Sequence, residues 1–197
     1  MPKVTDEHRL AKHDEILDAA LRAFRRRGFQ ATSMAEIIAE SGMSAGAIYG
    51  HFDSKSAIIR AVATGVLIAR LNDLEQLRHV EPMPEPSEMV RTIVRGFFEP
   101  TGWPAILLQV WGEAVTDPTL REVANDFFSR VRSTFAQYIA RWQETEHGLG
   151  ASEARAIGDA QAPLFLSAVH GFVVQDGLFA SFDRDEYLAK TLPYLPK

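Results

Sequence analysis

TSMAEIIAESGMSAGAIYGHFDSK, residues 32–55, reads as two short helices joined by a tight turn. Ser33 stands three residues before Glu36, the spacing of a capping box, and opens a helix to about Glu40. Met34, Ile37, Ile38 and Ser41 fall on one face of it. Gly42 supplies the stop, because glycine accepts the left-handed conformation without a Cβ clash. Met43 is apolar inside the turn and is expected to plug the gap between the helices. Ser44 is an N-cap for a second helix over Ala45–Phe52. Ala47, Ile48 and Phe52 are expected to face inward, leaving Ala45, Gly46, Tyr49, Gly50 and His51 outside. Small residues on that outer face let the backbone come close to another surface. Asp53-Ser54-Lys55 then starts a third helix, with a cation beside free amides that suits a phosphate. This is the layout of a helix-turn-helix, whose second helix enters the major groove of DNA.

Outward from this stretch, the first helix is expected over about Arg9–Arg27, behind a mobile arm of residues 1–8. Its apolar stripe is Ile16, Leu17, Ala20, Leu21 and Phe24, and Gly28 ends it. Arg25, Arg26 and Arg27 crowd the last turn. Phosphate contact is one reading of them; stabilisation of the helix end on a solvated face is favoured. After Lys55 a longer helix is expected to about Arg78. The prolines of HVEPMPEPSE, residues 79–88, break it. Further helices are expected from Ser87 to about Phe98, from Pro104 over PAILLQVWGEAVT, from Asp117-Pro118 to about Glu146, and from Ser152 to about Ser181. The last of these is expected to be interrupted or kinked near Pro163, and a short one follows Asp183. No alternating strand pattern of useful length occurs. The fold class is all-α: a three-helix head with the helix-turn-helix, and a larger helical bundle. The expected division is 1–55 and 56–197.

The 197 residues include 46% hydrophobic ones, enough for a full core. The absence of cysteine excludes disulfides and thiolate metal sites and suits a reducing cytoplasm. No apolar run approaches the ~20 residues of a membrane span, and the polar N-terminus does not read as a signal peptide, so no membrane partner is expected. The net charge is −5, but residues 1–60 hold nine Lys/Arg against eight Asp/Glu, so the acid excess lies outside the head. A near-neutral reading head implies modest non-specific affinity for nucleic acid.

The run from Gly42 to Lys55, GMSAGAIYGHFDSK, resembles the signature of TetR-type transcriptional regulators. There a glycine, an apolar residue and a serine open the recognition helix. A tyrosine, an aromatic or histidine, a phenylalanine and a lysine follow. The match extends back to Ile16 and forward to about Leu71. The resemblance implies a cytoplasmic homodimer on a palindromic double-stranded DNA operator, with a small-molecule effector bound in the helical body. It implies that Ser33, Tyr49, His51 and Lys55 meet phosphates while Ser44, Ala45 and Gly46 approach base edges. Lys3, Arg9 and Lys12 are further candidates for DNA contact. Relatives often carry longer polar residues where this chain has Ala45, Ala47 and Gly50. Readout here then leans on methyl contacts, the arm or DNA shape.

Aromatic residues crowd segments 87–180. Most such stripes are core, but a pocket between helices is the expected form of an effector site. The candidates are Phe97, Trp103, Gln109, Trp111, Glu113, Phe128, Arg132, His170 and Gln175. Glu113 and Arg132 also read as a plain salt bridge, and His170 as a satisfied core histidine. The helix after Ser152 carries Ala162, Leu166, Val169, Val173 and Leu178 and is too apolar for a monomer surface. The resemblance implies pairing of two copies through helices at about 152–193; an internal core helix explains the same residues, and pairing is favoured. Release by ligand makes a repressor the working hypothesis; an activator is the alternative.

Enzymatic readings fare worse. Gly42-x-Ser44-x-Gly46 matches the hydrolase nucleophile elbow, but that motif needs a strand before it, and a helical pattern precedes it here. Glu144 and His147 have the Glu-x-x-His spacing of di-iron bundles, without the second pair those sites need. No cofactor or metal is expected.

Overall fold

A computed structural model describes residues 6–77, 82–97 and 103–197, with side chains for 7–69, 82–95 and 104–197. The described residues are helical throughout apart from turns, and no strand occurs among them. The elements are α1 (Asp6–Ala31), α2 (Met34–Ser41), α3 (Ala45–Tyr49), α4 (Lys55–Leu77), α5 (Pro86–Phe97), α6 (Trp103–Thr116), α7 (Pro118–His147), α8 (Ala151–Leu178) and α9 (Arg184–Thr191), then a 3₁₀ turn at Leu192–Tyr194. The chain forms two compact units, Met1–Val66 and Leu67–Lys197.

In the first unit, α1 begins at Asp6, three residues before the expected Arg9, so residues 6–8 of the expected arm are helical; the rest of that arm, Lys3 included, lies outside the described residues. Gly28 (φ 82°, ψ 164°) breaks α1 where the sequence places its stop. Ile16, Ala19, Ala20, Ala23 and Phe24 are buried, and Phe29 sets its ring edge-on to Phe24 at 4.8 Å. Thr32, 1% exposed, secures the bend by donating its hydroxyl to the Gly28 carbonyl (2.7 Å). The unit ends inside α4 and takes in buried Ile58, Ile59, Val62 and Ala63, so its extent passes the expected boundary at residue 55.

The second unit is built on the antiparallel pair α7 and α8. At Gly158 an added Cβ would sit 2.2 Å from the Ala136 carbonyl oxygen, so the two backbones meet there. Phe135, Phe165 and Phe172 are fully buried, and Tyr138 donates its hydroxyl to the Pro84 carbonyl (2.6 Å). Helix starts follow the caps: Asp117 accepts from the Leu120 amide with Pro118 behind it, and Asp183 accepts from the Glu186 amide. Gly148 (φ 66°) ends α7. Three expectations are corrected. α5 begins at Pro86, with Ser87 already helical and its hydroxyl bonded to Glu85 (3.0 Å). α8 ends at Leu178, not Ser181, where Phe179 turns to extended backbone. It also runs unbroken through Pro163, which is exposed, as is Asp159, whose carbonyl that proline leaves without its usual donor. The expected helix ends at Arg78 and Phe98 lie outside the described residues. By length and composition α8 is apolar enough to cross a membrane, although no such run stood out in the sequence; in the fold it packs along α7 and α6.

Candidate functional site

Two local devices set the head. Ser33 caps α2 by accepting from the Glu36 amide (3.3 Å), and Glu36 answers by accepting from the Ser33 amide (2.7 Å), completing the capping box. Gly42 takes φ 67° and turns the chain, with Met43 half-buried in the turn. Ser44 then caps α3 through its hydroxyl and the Ala47 amide (3.2 Å). α3 is shorter than expected, ending at Tyr49, and Ile48 is its buried residue. Phe52 is buried just beyond it.

The outward face of α3 is Ala45, Gly46, Ala47 and Tyr49, with Tyr49 50% exposed. Ala47 is therefore corrected: it faces out. Both neighbours of Ile48 lie outward because so short a helix buries only one side. A Cβ built on Gly46 meets no atom within 4 Å, so the fold has room for a side chain there. His51 is half-buried, and the His13 ring of α1 lies 4.8 Å from the Phe52 ring and 6.2 Å from that of His51. His13 did not stand out in the sequence, since nothing local marks a contact 38 positions away.

Lys55 is placed differently from the expectation. Its Nζ donates to the Phe29 carbonyl (3.1 Å) and to the Gln30 carbonyl (3.0 Å). The ammonium ties the start of α4 to the corner after Gly28. Two of the arginine triplet, with Arg22, also have another task. Arg26 and Arg22 both bind the Glu40 carboxylate, and Arg27 binds Glu36, so these cations clamp α1 to α2. The guanidinium groups of Arg26 and Arg22 lower the Glu40 carboxyl to about 2. The Ser33 amide and hydroxyl, with Arg27 behind them, lower that of Glu36. Of the other basic candidates, Arg9 is exposed and Lys12 pairs with Glu15 (2.6 Å).

In the second unit, three of the nine pocket candidates meet. Trp111 of α6, Phe128 of α7 and His170 of α8 contact edge to face, with ring centroids 5.9, 5.2 and 4.9 Å apart. Phe127 adds a fourth ring against Phe128 at 5.2 Å. Trp111 Nε1 and His170 Nε2 are buried and find no hydrogen-bond partner among the described residues. His170 thus leaves its Nε2 without a partner among the described residues. A buried donor left unmade costs about 1–3 kcal/mol. Burial also pushes the His170 pKa below its ordinary value. The other candidates do not join this cluster through any described ring contact. Gln109 donates to Ala105 of its own helix, Glu113 is half-buried, Arg132 is exposed, and Gln175 is half-buried near the end of α8. The side chains of Phe97 and Trp103 lie outside the described residues.

Gly42 and Gly46 flank a junction between two helices, so the strand a nucleophile elbow needs is replaced by α2, and Ser44 spends its hydroxyl on a cap. A capped helix, a left-handed glycine turn and a short outward helix define a regulatory protein of the helix-turn-helix class. Residues 16–62 match the model of bacterial regulatory proteins of the tetR family, and residues 86–195 match the C-terminal domain of BetI-type transcriptional repressors. The chain belongs to the TetR family. The regulator TtgR of Pseudomonas putida is 28% identical over 189 residues, spanning 90% of this chain and 83% of that protein. The regulator YfiR of Bacillus subtilis is 39% identical over 75 residues, and there the match spans only 37% of that protein's length. Among solved structures, Salmonella enterica GusR superposes with a TM-score of 0.69 at 20% identity, covering 98% of this chain and 96% of that one.

Proposed function

We infer that this chain is a cytoplasmic homodimeric repressor that binds a palindromic DNA operator and leaves it when a small molecule enters the helical body. The observation that carries the reading is the α3 face, where Ala45, Gly46, Ala47 and Tyr49 stand exposed behind a side-chain cap. A helix this bare fits a major groove closely. Base edges meet Ser44, Ala45 and Gly46, while Tyr49 and His51 reach phosphates; the Ser33 hydroxyl, expected there too, already donates to the Glu36 carboxylate (2.9 Å). Lys55 serves as a strut rather than a phosphate ligand, because two carbonyls already hold its ammonium.

Pairing of two copies is supported by α8. Of the apolar set expected on this helix, Ala162 and Val173 are buried within one chain, whereas Leu178 is exposed. Leu164, Val174, Leu178 and, just past the helix, Phe179 are exposed, with Ala156 and Ala160 on the same helix. Two heads related by a two-fold axis read half-sites about one DNA turn apart, roughly 34 Å. An effector that prefers the protein with the heads out of that spacing lowers operator affinity. A gel shift with DNA upstream of the chain's own gene tests the reading. Saturable binding that competitor DNA of random sequence does not remove is the expected result. Binding equal to that of random DNA would overturn it.

A further inference from the structure

We propose, resting on the reading of the helical body as an effector domain, that Trp111, Phe128 and His170 hold a neutral aromatic molecule carrying a hydroxyl group, a phenol in the simplest case. The three rings come from three different helices and touch edge to face. Within that apolar wall stand two buried nitrogens without partners, Trp111 Nε1 and His170 Nε2, on rings whose centroids are 5.2 Å apart. Both nitrogens belong to one ring cluster, and native interiors rarely leave buried polar atoms unmade unless something else satisfies them.

The chemistry of the two atoms selects the ligand. The indole nitrogen is a donor only, so it requires an acceptor. Burial keeps the His170 ring neutral near pH 7, so Nε2 accepts in one tautomer and donates in the other. A hydroxyl serves both cases. It accepts from Trp111 and donates to His170, or it accepts from both through its two lone pairs. A quaternary ammonium ion offers neither donor nor acceptor and leaves both nitrogens unmade. A hydrocarbon does the same. A carboxylate supplies acceptors but brings a charge into a dry ring cluster. The ligand's own ring adds a further edge-to-face partner. Both nitrogens are covered, so the cluster opens as the ligand enters.

The test uses the full-length ¹⁵N-labelled protein and four probes: 4-methylphenol, toluene, choline and 4-methylbenzoate. Binding is read by calorimetry and by the indole N–H resonance that Trp111→Phe removes from the spectrum. The expected result is saturable binding of 4-methylphenol that shifts this resonance, with toluene about tenfold weaker or more. His170→Phe and Trp111→Phe should each weaken 4-methylphenol about tenfold and leave toluene unchanged, a split that lost packing alone does not produce. If one variant fails to fold, the other and the wild-type ratio of 4-methylphenol to toluene decide. Equal binding of toluene and 4-methylphenol overturns the proposal, as does a Trp111 resonance moved by choline but not by 4-methylphenol, or moved by none of the four. A gel shift separates the two levels. A bound phenol that leaves DNA affinity unchanged keeps the site and refutes the effector role. DNA release by another compound, with the Trp111 resonance unmoved, keeps the effector role and refutes this site.

Discussion

Replacing Gly46 by Ala should make the head more stable and a poorer DNA binder at once. Gly46 is exposed within α3 and its built Cβ meets nothing within 4 Å, so the methyl costs the fold no clash. Glycine in a helix is about 0.5–1 kcal/mol worse than alanine, because it loses more backbone freedom on folding. The substitution should therefore raise stability by about that amount, a shift of ~2–4 °C per kcal/mol in the Tm of a chain this size. The DNA side has the opposite sign. If Gly46 is where the groove comes closest, the added methyl occupies the contact surface itself. A single disturbed base contact costs about 1–3 kcal/mol, or roughly a 5- to 150-fold loss in affinity. Thermal unfolding by circular dichroism and a gel shift at fixed salt measure both effects on one preparation. Unchanged operator affinity would refute close approach at this glycine, and a loss of stability would refute the reading that the fold has room for the methyl.

Lys55→Ala removes two charge-assisted bonds to the Phe29 and Gln30 carbonyls and should cost about 1–3 kcal/mol in denaturant unfolding, with the salt slope of DNA binding unchanged. A slope smaller by about one unit with full stability would return Lys55 to the phosphate contacts. Gly158→Ala should destabilise by about 1–3 kcal/mol in the same assay, because its Cβ would lie 2.2 Å from the Ala136 carbonyl oxygen and backbone must move. Glu40, lowered to about 2 by Arg26 and Arg22, contributes stability that is present above its unfolded value near 4.5 and lost as pH falls toward 2. Glu40→Gln should flatten the pH dependence of unfolding across that window and leave the curve above pH 5 parallel to wild type. His170 acts with the same sign in a higher pH window. Its lowered pKa means that the unfolded chain binds the extra proton first, so stability should rise with pH until it levels off near 6.5, and His170→Phe should remove that rise.

The parts legible beforehand are those whose signal is local. Ser33, Gly42, Ser44 and Asp117 act on amides or torsions within a few residues, and these caps fall where the sequence puts them. What stayed hidden depends on partners far along the chain. Lys55 reads as a phosphate ligand because its carbonyl partners lie 25 and 26 residues back. Arg26 and Arg27 read as helix-end cations until the fold brings Glu40 and Glu36 beside them. Ala47 reads as inward-facing in the sequence, but a five-residue helix is too short to bury two neighbouring positions. The meeting of Trp111, Phe128 and His170 needs three helices in register, which no single stretch of sequence encodes.

The boundary between the two units falls between Val66 and Leu67, inside α4 and not in a loop. A chimera that grafts this head onto another body must then be spliced within a continuous rod, and the splice has a phase. One inserted residue turns everything beyond it by about 100° and lengthens the rod by about 1.5 Å, whereas seven return it to within about 20° of its starting azimuth. Tolerance to insertions at this junction should therefore be periodic, in the way that promoter spacing is periodic in the turn of DNA.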